Sequence, residues 1–269
     1  MAMDRRPFLG ERSTEKSPLF SQNGRLSSDL SLEGAEHADG PRKFYKGEYT
    51  RMGVWLAVLT CLWIITRVTC ACGAPNDCVS ESSPSTTMND IQILLLYGFT
   101  QAWFVEILER RRFWHVFSLQ RWYFWVVLAG TPPVFSVISD LPVMEFSISS
   151  SFSLSGGMVA VLVAAGTGFS LWLAFHILYA KHVYAMDNFL VYVLGRVGVL
   201  LFFLVYMMVA YNEYEEYHFH HYWLAWAVSL FASFNHPASL LLLAVSTGVM
   251  VQGLGAYHTD FVFYADSRR

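Results

Sequence analysis

From residue 46 onward, apolar positions run together in long stretches broken only by short polar interruptions. A helix needs about 20 such residues to cross a hydrocarbon core of roughly 30 Å. Stretches that meet or approach that length cover 52–71, 91–108, 122–139, 157–179, 187–211, 218–233 and 238–258. The pattern predicts an all-α, multi-pass transmembrane helical bundle of about seven spans. Six is the alternative count, because 218–233 is short and fits a re-entrant segment. In the third span, Pro132 and Pro133 remove two backbone donors and predict a kink or a break. Neighbouring helices or waters must then satisfy the freed carbonyls.

Residues 1–45 read differently. Ser, Gly, Glu, Arg and Asp dominate there, without helical or alternating period. Such a segment buries too little apolar surface to offset its ordering entropy, which predicts a disordered tail. The chain thus divides into a tail, 1–45, and a polytopic membrane domain, 46–269. Ser17 before Pro18 suits phosphorylation or adaptor binding as well as a plain solvated role. No apolar core stands near the amino terminus, so the first span is its own insertion signal. Asp4, Glu11 and Glu15 disagree with a mitochondrial presequence.

Composition sharpens this division. The chain is 54% hydrophobic and 14% charged, well short of the roughly 25% charge of soluble domains. Its net charge of -3 conceals a cationic first fifth joined to a body almost stripped of Lys and Arg. No basic, aromatic-interleaved surface points to nucleic acid.

The cations predict an orientation. Lys and Arg collect in cytoplasmic loops. Here they crowd the tail up to Arg51, then Arg110, Arg111, Arg112 and Arg121 between the second and third spans, then Lys181 after the fourth. With a cytoplasmic amino terminus these share one side, in the plasma membrane or an endomembrane. Cys70, Cys72 and Cys78 then stand at the outer mouth of the first span, where a disulfide from Cys78 to Cys70 or Cys72 is permitted. Cys61, inside the span, reads as a small buried apolar residue.

Gly156, Ala160, Ala164 and Gly168 fall four apart on the fourth span, a small-residue stripe suited to close helix packing or to another membrane protein. Gly195, Gly198 and Gly248 offer further close contacts. Arg196 stands near mid-depth of the fifth span, where a cation is costly and should face the bundle interior. Gln101 at similar depth, or Glu106 through water, is its expected partner. The site would serve an anion, a headgroup or a translocation path, or else bridge helices. Arg110 to Arg112 should meet anionic headgroups.

Chemistry is concentrated in "EYHFHHYWLAW" at 216–226. In a helix His218 and His221 share a face. His258 and Asp260 arrive at the same surface from the seventh span. Together His218, His221, His258 and Asp260 form a sensible set for a divalent metal such as zinc, with Glu213, Glu215 and Glu216 nearby. The competing readings are an interfacial belt of amphipathic rings and a pH-responsive cluster. The nine histidines are too scattered for the repeated boxes of membrane di-iron enzymes. His176 and His221 face opposite surfaces, which excludes paired haem ligation. No nucleophile turn supports a hydrolase.

The segment from His218 to Phe261 resembles the carboxyl-terminal membrane region of multi-pass proteins of fungi and protists that often carry an LCCL domain. His218, His220, His221 and Tyr222 match the family's His-x-His-His-Tyr motif. Ser239, Leu240 and Leu241 match its Ser-Leu-Leu run, and Gly253 its helix-end glycine. An LCCL domain is missing, Gln252 replaces the usual asparagine, and Tyr257-His258 replaces Trp-Gly. The resemblance implies a membrane topology and a paired role for the last two spans, and names no reaction. The expected function is a non-enzymatic accessory or partner-binding membrane protein. The alternatives are a transporter or channel using Arg196 and the outer histidines, and a membrane metalloprotein.

Overall fold

The computed structural model describes residues 46–72, 83–139, 148–149, 156–211, 216–219, 221–258 and 263–264. The tail expected over 1–45 lies outside the described residues, as do Cys78, Glu213, Glu215, His220 and Asp260. The helices are α1 (Lys46–Ala71), α2 (Pro84–Phe104), α3 (Arg110–Val116), α4 (Trp122–Ser139), α5 (Gly156–Val183), α6 (Met186–Tyr211), α7 (His221–Ser229) and α8 (Pro237–Tyr257). A 3₁₀ turn, Leu119–Arg121, joins α3 to α4. Three stretches, Gly47–Ala71, Met186–Phe203 and Pro237–Tyr257, are long and apolar enough to cross a membrane.

Two expectations are corrected here. The stretch predicted as a sixth span, 218–233, is helical only over His221–Ser229, about 14 Å at 1.5 Å per residue. The residues before it form a strand. β1 (Ile148–Ser149), β2 (Glu216–Phe219) and β3 (Phe263–Tyr264) make a small antiparallel sheet in that order. Ile148 pairs with Phe219, and Glu216 with Tyr264. His218 therefore belongs to a strand and His221 to a helix, so they do not share a helical face.

Two helices begin on proline, where the missing N–H would have been unsatisfied anyway. At α2 the Ser83 hydroxyl caps by accepting from the Thr86 N–H at 3.1 Å. At α8 the cap is His236, whose Nδ1 accepts from the Ala238 N–H at 3.2 Å. Pro132 and Pro133 do not break α4, which runs through them to Ser139. The Leu128 carbonyl, whose partner Pro132 removes, lies against α8 at Gly248. Only a residue without Cβ lets the α8 backbone approach that closely.

Long-range side-chain bonds from α1 pin opposite ends of the bundle. At one end the Arg51 guanidinium donates to the Leu108 carbonyl. At the other the Arg67 guanidinium donates to the Gly255 carbonyl at 3.0 Å. α8 is the central element: 78% of its apolar stretch is buried within the chain, against 11% for the stretch in α6. Its glycines explain how. A Cβ on Gly248 would lie 2.5 Å from Thr131 of α4, one on Gly253 2.6 Å from Tyr222 of α7, and one on Gly255 2.8 Å from Thr66 of α1. Each glycine thus admits a different neighbour.

The stripe on α5 behaves otherwise. Gly156, Ala160, Ala164 and Gly168 are exposed, and a Cβ on either glycine would meet nothing within 4 Å. Gly198 also faces open space, and Gly195 makes only ordinary contact with Phe104. Among the described residues, none packs against the stripe glycines Gly156 and Gly168.

Candidate functional site

Between α7 and α8 the chain runs unwound from Leu230 to His236, and Leu230, Phe231, Ala232, Ser233 and Phe234 are buried. Non-helical backbone in a hydrocarbon setting is tolerable only if its polar groups find partners within the protein. The break begins at Ser229, whose hydroxyl donates to the Trp226 carbonyl at 2.6 Å and so competes with the helix ladder. Two arginines take up three of the carbonyls beyond it, those of Leu230, Ala232 and Phe234.

Arg196 of α6 donates through Nε to the Leu230 carbonyl at 2.6 Å. Its other nitrogens reach the Tyr192 carbonyl at 2.9 Å and the Phe104 carbonyl at 2.6 Å. The guanidinium lies 3.7 Å from the centroid of the Tyr192 ring, a cation–π contact. The Tyr192 hydroxyl donates to the Phe231 carbonyl at 2.8 Å. Arg112 of α3 serves two more carbonyls of the segment. It donates to the carbonyls of Ala232 at 2.7 Å, Phe234 at 2.5 Å and Val105 at 3.3 Å, and to Asn235 Oδ1 at 3.0 Å. Burial draws the Arg112 guanidinium down to about 10, which leaves it charged at neutral pH.

The same arginines finish α2. Its C-terminus is a Schellman motif: the Ile107 N–H donates to the Ala102 carbonyl and the Glu106 N–H to that of Trp103. Glu106 takes the left-handed position that usually goes to glycine, with φ 62°. The carbonyls this motif leaves over, Phe104 and Val105, are those bound by Arg196 and Arg112. One guanidinium therefore closes two helix ends at once, a task for a planar fork of donors that a lysine ammonium would do poorly.

The expected pairing of Arg196 with Gln101 is not what forms. Gln101 donates to the hydroxyls of Ser229 and Thr247, each at 2.8 Å, tying α2 to α7 and α8. Glu106 accepts from the Tyr184 hydroxyl at 3.2 Å. Arg112, expected among headgroups with its neighbours, is only 2% exposed. The reason is helical phase: Arg112, Phe113 and Val116 form the buried side of α3, and Arg110 and Arg111 the exposed side. Next to them, His115 is held down to about 4 by burial, then by the Arg121 and Arg112 charges.

At the opposite end two of the predicted metal ligands, His221 and His258, take separate partners. His221 Nε2 meets Gln252 Oε1 at 3.2 Å, and the Gln252 amide donates to Ser136 at 3.1 Å. His258 Nδ1 bonds Asp90 Oδ2 at 2.6 Å, both residues being buried. His258 has φ 63° and ψ 174°, a region that costs a side-chain-bearing residue about 1–3 kcal/mol. The Asp90 bond holds it there. Among the described residues, no three His, Cys, Asp or Glu lie together as a metal group. Cys61 and Cys72 are free and exposed, which removes Cys72 from any bridge and corrects the reading of Cys61 as buried.

A mostly apolar cleft of about 480 Å³ opens between α2, α6 and α7. Tyr97, Thr100, Gly198, Phe203 and Trp226 line it, whereas Arg196 and Gln101 do not. Its wall is fixed by Trp226, whose indole N–H donates to the Tyr97 carbonyl and Thr100 hydroxyl, its ring stacked 4.6 Å from that of Tyr97. Comparison with protein-family models, curated proteins and solved structures finds no match.

Proposed function

We propose that the chain is a non-enzymatic, partner-binding integral membrane protein with a cytoplasmic amino terminus. Its seven crossings are α1, α2, α4, α5, α6, α7 with its unwound extension, and α8. The alternation of bundle ends supports this: Arg51 bonds Leu108 at the end where the cations collect, and Arg67 bonds Gly255 at the other. A bridge from Cys70 to Cys78 belongs to the outer face. The likeness to LCCL-bearing proteins adds that α7 and α8 act as one paired module.

The observation that carries the partner-binding reading is the exposed stripe of Gly156, Ala160, Ala164 and Gly168 on α5. Small residues lower the barrier to backbone contact between helices in lipid, and among the described residues nothing lies within 4 Å of a Cβ built on Gly156 or Gly168. Cysteines placed at Ala160 and Ala164 for cross-linking in native membranes should give one adduct of fixed protein mass. That adduct should vanish with Gly168→Leu. Adducts to lipid alone would end the reading.

The transporter reading draws on the broken crossing, since discontinuous helices often frame binding sites. It is weakened by the engagement of Arg196 with three backbone carbonyls. The metalloprotein reading retains His218, His221, His258 and Asp260. Stoichiometric metal in purified protein, lost in His221→Ala, would support it over the other two.

A further inference from the structure

We propose that the elbow between α2 and α4 is a docking surface for the anionic headgroup of a phospholipid in the adjoining leaflet. The inference rests on the membrane reading above. α3 turns Arg112 inward, where its bonds to Ala232, Phe234 and Asn235 clamp the elbow to the unwound segment. The opposite side presents Arg110 and Arg111, both exposed, with Glu109 as the adjacent acid. Arg121 follows in the 3₁₀ turn, so cations outnumber the acid within the elbow.

Large apolar side chains are also exposed along the elbow, from α3 to the first residue of α4. Trp114 is 62% exposed, Leu119 93% and Trp122 65%. In water such exposure is costly. At a membrane interface it is the expected arrangement: indoles lie at headgroup depth and arginines reach the phosphates. A free anion or a nucleic acid would need the cations but not the exposed Leu119 and tryptophans. The combination selects a ligand with charge and hydrocarbon side by side. Because the elbow is clamped from beneath, its geometry exists before the lipid arrives, which limits the ordering cost of binding.

The test uses the full chain in phosphatidylcholine nanodiscs with and without phosphatidylserine, with retained lipids counted by native mass spectrometry. Wild type should retain phosphatidylserine in preference to phosphatidylcholine. Affinity should fall about fivefold for each arginine removed in Arg110→Gln and Arg111→Gln. Lys181→Gln, at the end of α5, should change it little. An unchanged melting temperature in the double variant establishes that the loss is one of binding. Equal retention of both lipids, or equal loss in Lys181→Gln, would overturn the proposal, as would full displacement of phosphatidylserine by inorganic phosphate. A chain that fails to enter nanodiscs would instead refute the membrane reading. The discs carry the same lipids on both faces, so the outcome does not depend on orientation.

Discussion

Replacing Arg196 by methionine removes the guanidinium that joins α6, the end of α2 and the unwound segment. Three hydrogen bonds disappear, to Leu230, Tyr192 and Phe104. Bonds to a charged donor contribute about 1.5–3 kcal/mol each, so the gross loss is roughly 5–9 kcal/mol. Two terms reduce it. The Tyr192 carbonyl lies within a helix and has ladder partners to fall back on. A buried charge is also removed, and its desolvation alone costs several kcal/mol. A net loss of about 3–5 kcal/mol remains, the usual result of breaking one side of a buried charged contact. For a chain of this size that corresponds to a fall of about 6–20 °C in melting temperature. The assay is thermal unfolding of purified protein in a fixed detergent, followed by tryptophan fluorescence. Arg196→Lys should fall between wild type and methionine, because an ammonium keeps the charge but not the fork. A methionine variant melting with wild type would refute the claim that this arginine holds the break together. A lysine variant equal to wild type would reduce its role to that of a point charge.

Four further outcomes follow from other contacts. Gly253→Ala should destabilise by about 1–3 kcal/mol through overpacking against Tyr222, whereas Gly168→Ala should leave the melting temperature unchanged or slightly higher. Gln101→Met should cost no more than about 1 kcal/mol, since the Ser229 hydroxyl keeps its own acceptor at Trp226; a larger loss would make the Gln101 bridge a principal support of the core. His115 is neutral in the folded state with its pKa lowered to about 4 from 6.5, so its unfolded form binds the extra proton in that window. Stability should therefore decline as pH falls from about 6.5 to 4, and His115→Gln should flatten that slope in melting curves against pH. Thiol counting on unfolded, non-reduced protein should lose one reactive group in Cys72→Ser and gain one in Cys70→Ser; an unchanged or lower count in the latter rules out the Cys70–Cys78 bridge.

The sequence pattern located the long helices well because their apolar stretches are continuous, and α1, α6 and α8 meet the requirement for crossing outright. It also marked 218–233 as irregular through its length. What it could not convey was the partner choice of buried polar groups. Arg196 was recognisable as costly, but its acceptors are backbone carbonyls, which leave no trace in side-chain identity. Arg112 was hidden inside a run of three arginines; the inward-facing Phe113 and Val116 were the available signal. Asp90 stands at the polar margin of a span, where an acid looks solvated, so its burial against His258 leaves no signal in the sequence. The strand at 216–219 is not legible because its aromatic alternation also suits an interfacial helix, and only pairing with 148–149 and 263–264 decides between them. The small-residue stripe is legible in the four-residue spacing, yet nothing in that spacing indicates that its residues are exposed on α5.

The two arginines that support the break both precede it in the chain. α7 has nine residues, too few to enter a bilayer by themselves, and the unwound backbone after it could not rest in lipid at all. Chains emerge and fold from the amino terminus, so Arg112 and Arg196 are already within the assembly when Leu230 appears. The earlier elements, α3 and α6 among them, thus form a receptor for α7 and its extension: they hold donors in place, and the broken segment is received by them rather than by the membrane.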